Sequence, residues 1–98
     1  MTIAFDIDGT WSLDPRSFVH VAATFGRAGW TVIIVTGSHQ PKEKLDRLFI
    51  PAYPIIVSGS LMKEEAARRA GYKVDVWVDD MPGMIQNCKV LQGMEGEP

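Results

Sequence analysis

With Cys88 as its single cysteine, the chain has no possible intrachain disulfide, and nothing in it calls for an oxidising compartment. No apolar run approaches the length of a membrane span. The apolar opening, residues 1–5, meets Asp6 and Asp8 almost at once, too soon for a secretory signal core. The expectation is a cytoplasmic protein with no membrane partner. Charge of one sign is also missing: 10 Lys+Arg stand against 12 Asp+Glu, a formal net charge of −2. That balance argues against non-specific binding to nucleic acid or acidic membrane, and Arg68-Arg69 is too small to form a nucleic-acid patch. It leaves room for a phosphorylated substrate, because a bound metal changes the local field. Histidine is scarce, and His20 has no partner at zinc-ligand spacing.

What the chain does have is a core. At 98 residues and 46% hydrophobic content it suits one small domain over residues 1–92, followed by a Gly-, Glu- and Pro-rich tail, 93–98, that is expected to be flexible. Short apolar runs at 3–5, 31–35, 54–57 and 74–78 are rich in β-branched residues without clean alternation, as in strands covered on both faces. Between them, helices are expected over 18–28, 41–49 and 61–70. The first would turn Phe18, Val21, Ala22 and Phe25 inward and stop at Gly29. The second would start on Pro41 and bury Leu45, Leu48 and Phe49. The third would be capped by Ser60 and stopped by Gly71. A weaker helical turn over 82–87 and a short fifth strand over 89–91 are further expectations. Alternating buried strands and helices imply right-handed crossovers and a parallel sheet, an α/β three-layer αβα sandwich of Rossmann-like type.

The chemistry gathers at strand ends. Asp6 and Asp8 follow the first apolar run, and residues two apart on a strand share a face, so both can approach a common point as the chain turns at Gly9. Asp79 and Asp80 stand at the end of the fourth run. Open parallel sheets bind ligands at this carboxyl edge. If the two strands are neighbours, all four carboxylates converge. Clustered carboxylates repel one another unless a cation or proton compensates. Carboxylate, water and phosphate oxygens are the hard ligands magnesium prefers.

Asp6-Ile7-Asp8-Gly9-Thr10 resembles the first motif of the haloacid dehalogenase-like superfamily, mostly magnesium-dependent phosphatases and related phosphotransferases. Val35-Thr36-Gly37-Ser38 is similar to the second motif, Lys63 to the lysine of the third, and Val78-Asp79-Asp80 to the acidic fourth. The order is right, and the resemblance spans residues 3–80. It implies a minimal core with strand order 3-2-1-4 and a magnesium cofactor held by Asp6, Asp8, Asp79 and Asp80. Asp6 would be the nucleophile and Asp8 the general acid and base, with the Asp8 backbone carbonyl as a further metal ligand. Thr36 and Lys63 would join the catalytic set, Thr36, Gly37 and Lys63 would bind the phosphoryl group, and Thr10 would tie down the turn.

Family members often carry a cap after the first motif or between the second and third, and neither interval here has room for one. The expectation is therefore an open site on a capless magnesium-dependent phosphomonoester hydrolase. Its substrate would be a small or macromolecular phosphomonoester, and a large substrate or a homo-oligomeric neighbour would close the site. A nucleotide or polynucleotide-end phosphatase and a non-catalytic phosphate- or protein-binding member are the alternatives. Trp11, in the loop above the site, either stacks on substrate or packs against the first helix.

Overall fold

The computed structural model of the chain describes residues 1–86. The expected strand over 89–91, Cys88 and the tail lie outside them. The hydrophobic runs become four parallel strands, β1 (Thr2–Phe5), β2 (Thr31–Thr36), β3 (Ile55–Val57) and β4 (Val76–Val78), in the expected order β3-β2-β1-β4. Three helices connect them: α1 (Pro15–Arg27), α2 (Lys42–Arg47) and α3 (Lys63–Arg69). Short 3-10 turns at Trp11–Leu13 and Pro82–Met84 follow β1 and β4.

Alternation along the two central strands divides the core. Ile3, Phe5, Val32 and Ile34 face α1 and α2, where Phe18, Phe25, Leu45 and Leu48 pack on them. Ala4, Ile33 and Val35 face the other way, towards Ala67 of α3. Ile56, Tyr72, Val74 and Trp77 pack around that second side. The edge strands are less covered than the central pair: Ile55, Val57 and Val76 are exposed, because only β1 and β2 have a strand on each side.

Local signals explain where the helices begin. α1 starts earlier than expected, at Pro15, because Asp14 caps it: its carboxylate accepts from the Ser17 amide at 3.3 Å and the Ser17 hydroxyl at 2.7 Å. Those bonds hold the Asp14 pKa below its ordinary value. In the packed face of α1, Val19 takes the place expected of Val21, which is exposed. Neither Ser38 nor Ser60 caps a helix; Pro41 and Met62 occupy the cap positions of α2 and α3 without a side-chain bond. Phe49 is exposed rather than inward. It takes a left-handed φ of 56° just beyond α2, which turns its ring out and brings Ile50 to the core instead.

Trp11 corrects the substrate-stacking expectation. It is fully buried, stacked on Phe18 at 5.8 Å and edge-on to Phe5 at 5.6 Å. Its indole N–H donates to the Leu48 carbonyl at 2.9 Å, so the ring ties the loop after β1 to the end of α2. No face is left for a ligand. Trp11→Phe is expected to lower stability by about 1–2 kcal/mol through the lost bond and the space left behind. Denaturant unfolding measures that loss, and the KM of any ester the protein turns over should stay unchanged.

Candidate active site

The parallel pairing of β1 with β4 sets Phe5 opposite Val78, and the Asp6 amide donates to the Val78 carbonyl at 3.0 Å. Asp6 and Asp79 thus leave neighbouring strands at the same edge of the sheet. β2 ends there too, at Thr36, and the Ser58 and Gly59 amides beyond β3 bond back to the carbonyls of Thr36 and Gly37. Lys63, the first residue of α3, points into this edge from the opposite sheet face.

A shallow cavity of about 190 Å³ results, lined by Asp6, Asp8, Thr36, Lys63, Asp79 and Asp80 together with Gly37, Ser38 and two methionines of the last turn. Every catalytic, metal and phosphate-binding residue expected from sequence lines it except Trp11.

Lys63 organises the floor. Only 5% exposed, it donates to Asp6 Oδ1 and Asp79 Oδ2, each at 2.7 Å. The second oxygen of Asp79 accepts from the Met81 amide at 2.8 Å. Asp6, Asp79 and Asp80 each bring a carboxylate oxygen to within 4.8 Å of the others, a spacing at which one cation can be shared. Thr10 ties this group down as expected. Its hydroxyl accepts from the Asp80 amide at 3.2 Å and lies 3.5 Å from carboxylate oxygens of both Asp6 and Asp80.

Asp8 departs from the expected four-carboxylate cluster. Its side chain turns away from the other three, towards α2, where Lys44 holds Oδ1 at 2.6 Å and Gln40 approaches Oδ2 at 3.4 Å. Gly9 turns the chain directly after Asp8 at φ +80, and the Asp8 carboxylate stands at the rim, 60% exposed. Of the Asp79-Asp80 pair, it is Asp79 that bonds Lys63. Gln40 and Lys44 were not found by sequence reasoning. Gln40 is 6% exposed, and its amide nitrogen also reaches the Thr36 hydroxyl at 3.2 Å and the Ser38 carbonyl at 3.1 Å. Two of these partners, a carboxylate and a carbonyl, only accept, which fixes the orientation of the amide. His39 is exposed.

The electrostatics are those of an anionic hole with one cation. Burial raises the Asp6 pKa above 3.8; Lys63 pulls it down, while Asp79 and Asp80 add to the rise. Burial lowers that of Lys63, but its bonds to Asp6 and Asp79 outweigh this and carry it above 10.5. Both raised values have a consequence for stability. The Asp6 contribution is fully present below 3.8 and is lost as pH rises through its folded value; that of Lys63 is present below 10.5 and is lost as pH climbs through its own. For metal-free protein, the stability of Asp6→Asn relative to wild type should therefore grow as pH rises from 3.8 towards neutrality, read from thermal unfolding at successive pH values.

The donor set fits a small hard cation: carboxylates already crowded together, from buried Asp6 to exposed Asp80, short of positive charge, and free of sulfur or imidazole. The backbone is shaped around them. A Cβ on Gly9 would overlap the Asp80 carboxylate and would force a side chain into a left-handed φ. Gly9→Ala is expected to displace Asp80, to cost about 1–3 kcal/mol of stability, and to weaken divalent-cation binding in a calorimetric titration.

Compared with known proteins, the chain matches no protein-family profile, no curated protein and no solved structure. No helix among the described residues is long and apolar enough to cross a membrane.

Proposed function

We propose that the protein is a magnesium-dependent phosphomonoester hydrolase of the haloacid dehalogenase-like type, working through an aspartyl-phosphate on Asp6. The observation that carries this reading is the buried lysine shared by Asp6 and Asp79, with Asp80 beside them and Thr36 across the cavity. A solvated acidic turn has no use for a lysine buried beneath it. A phosphoryl-transfer site does, because transfer depends on positioning and charge neutralisation.

In this scheme Asp6, Asp79 and Asp80 hold the magnesium ion. When bound, the ion would supply positive charge that offsets the phosphoryl oxygens. Lys63 fixes Asp6 Oδ1 and adds the second positive charge. A carboxylate oxygen of Asp6 attacks phosphorus and the ester P–O bond breaks. Asp8, on the rim, gives the departing oxygen its proton. Water then attacks the same phosphorus, Asp8 takes a proton from it, and orthophosphate leaves as the Asp6 carboxylate re-forms. The Thr36 hydroxyl and the Gly37 amide bind the transferring group. Asp8 suits a proton carrier better than a carboxylate metal ligand, because its side chain lies with Lys44 and Gln40 and outside the acidic trio.

The cavity is shallow and has no covering domain among the described residues, so the substrate or a second subunit would supply the lid. The test is phosphate release from a broad phosphomonoester panel with and without magnesium. Release that needs the metal and is lost in Asp6→Asn and Asp8→Asn supports the reading. Absence of release from every ester, or release indifferent to both substitutions, rejects it.

A further inference from the structure

We propose, building on the phosphatase reading, that Lys44 selects substrates carrying a second anionic group close to the scissile ester. Both oxygens of Asp8 are engaged at rest, Oδ1 by Lys44 at 2.6 Å and Oδ2 by Gln40 at 3.4 Å. Each oxygen keeps a lone pair free, but the two partners pin the carboxylate at the rim, and turning it towards a leaving oxygen requires one of them to give way. Gln40 is almost fully buried and its amide is shared among Asp8, Thr36 and Ser38, so moving it would take this donor from the buried Thr36 hydroxyl and carry a buried amide out of its site. Lys44 is free to swing. Its side chain is 30% exposed, that of Asp8 is 60% exposed, and an ion pair this open to water is weakly held.

What draws Lys44 off Asp8 is another anion. The phosphoryl group itself is a poor candidate, since it meets a cation of its own in the floor, Lys63, which bonds the attacking residue Asp6. Lys63 is the only cation among the described residues that line the cavity, and two carboxylates already claim it. Lys42, two residues before Lys44, pairs instead with Asp46 at 3.0 Å. A carboxylate or second phosphate on the leaving group, lying over Asp8, therefore meets Lys44, the ammonium that holds Asp8 among the described residues. Lys44 moves to the substrate, and Asp8 is released for the leaving oxygen. A cationic leaving group would meet the opposite field and leave the Lys44–Asp8 pair closed.

Three esters of similar size separate these cases: phosphoglycolate, ethyl phosphate and phosphoethanolamine, which carry an anionic, a neutral and a cationic group near the ester. With magnesium in excess, wild-type kcat/KM should favour phosphoglycolate over ethyl phosphate by about tenfold, with phosphoethanolamine slower still. In Lys44→Met the ratio of the first two should fall close to unity, and in Lys44→Glu the order of the anionic and cationic esters should invert. Such a preference would run against the overall negative charge of the site, which otherwise repels the extra anion. A ratio near unity in wild type, or one that survives in Lys44→Met, overturns the proposal.

Calorimetric binding of the same esters to wild type and Lys44→Met keeps this outcome apart from failure of the phosphatase reading. Discrimination in binding without hydrolysis rejects catalysis and sustains Lys44. Equal binding of the anionic and neutral esters, or binding of none of them, overturns the role of Lys44.

Discussion

Asp6→Asn is expected to lower phosphomonoester turnover by roughly 10⁴-fold while leaving the protein folded. The amide is nearly the same size as the carboxylate, so the close packing at the end of β1 is kept. It is a far poorer nucleophile, so the covalent step has no attacking group. Stability should move little or rise in metal-free protein, because the substitution removes one of three crowded carboxylates and Lys63 keeps Asp79 at 2.7 Å. This opposition of outcomes is informative. A variant inactive because it unfolds would lose its thermal transition, whereas the expected variant keeps or raises it. Single-turnover assays measure the first effect and metal-free thermal unfolding the second.

The largest stability effect is expected at Lys63. Replacing it by methionine fills similar space but leaves the Asp6 and Asp79 carboxylates, 8% and 1% exposed, without their ammonium. Removing one member of a buried ionic group commonly costs about 3–5 kcal/mol, because the remaining charges are stranded away from water. For a domain of this size that is a large share of the total. Lys63→Met should therefore unfold at markedly lower denaturant than wild type when metal is chelated. Magnesium should restore part of the loss, since a cation bound to the folded state alone stabilises it by mass action. A loss below about 1 kcal/mol would mean that the lysine does not neutralise this floor. The same loss with and without magnesium would mean that the carboxylates do not take the metal.

Where the residues themselves determine local conformation, the sequence is a good guide to this molecule. The four β-branched runs and the helices between them follow from patterning, the pairing of β1 with β4 answers the need to bring Asp6 beside Asp79, and the full strand order is the one the family resemblance implies. Thr36, Lys63 and Asp80 arrive at the cavity for the same reason: each stands where a strand ends or a helix begins. What patterning misses depends on side-chain direction and distant contact. Gln40 and Lys44 are 32 and 36 residues from Asp8, and on α2 Lys44 reads as one more solvated helix lysine. The Asp8 carboxylate is held by these two side chains, and nothing in Asp-x-Asp spacing encodes that. Trp11 looks equally suited to a pocket wall or a core. Only the Leu48 carbonyl, brought near by the packing of α2, decides for the core. Phe49 fails for a backbone reason, since helical spacing points it inward until a left-handed φ turns it out.

The central claim is that Asp6 receives a phosphoryl group beside a metal held by its acidic neighbours. Fluoroberyllate, which stands in for a phosphoryl group on an aspartate, tests it directly when added with magnesium to crystals or to labelled protein in solution. The predicted result is beryllium bonded to an Asp6 carboxylate oxygen, with fluorides against Thr36 and Lys63 and magnesium held with Asp79 or Asp80. Magnesium bound elsewhere, or fluoroberyllate absent from Asp6 at saturating concentrations of both, would contradict it.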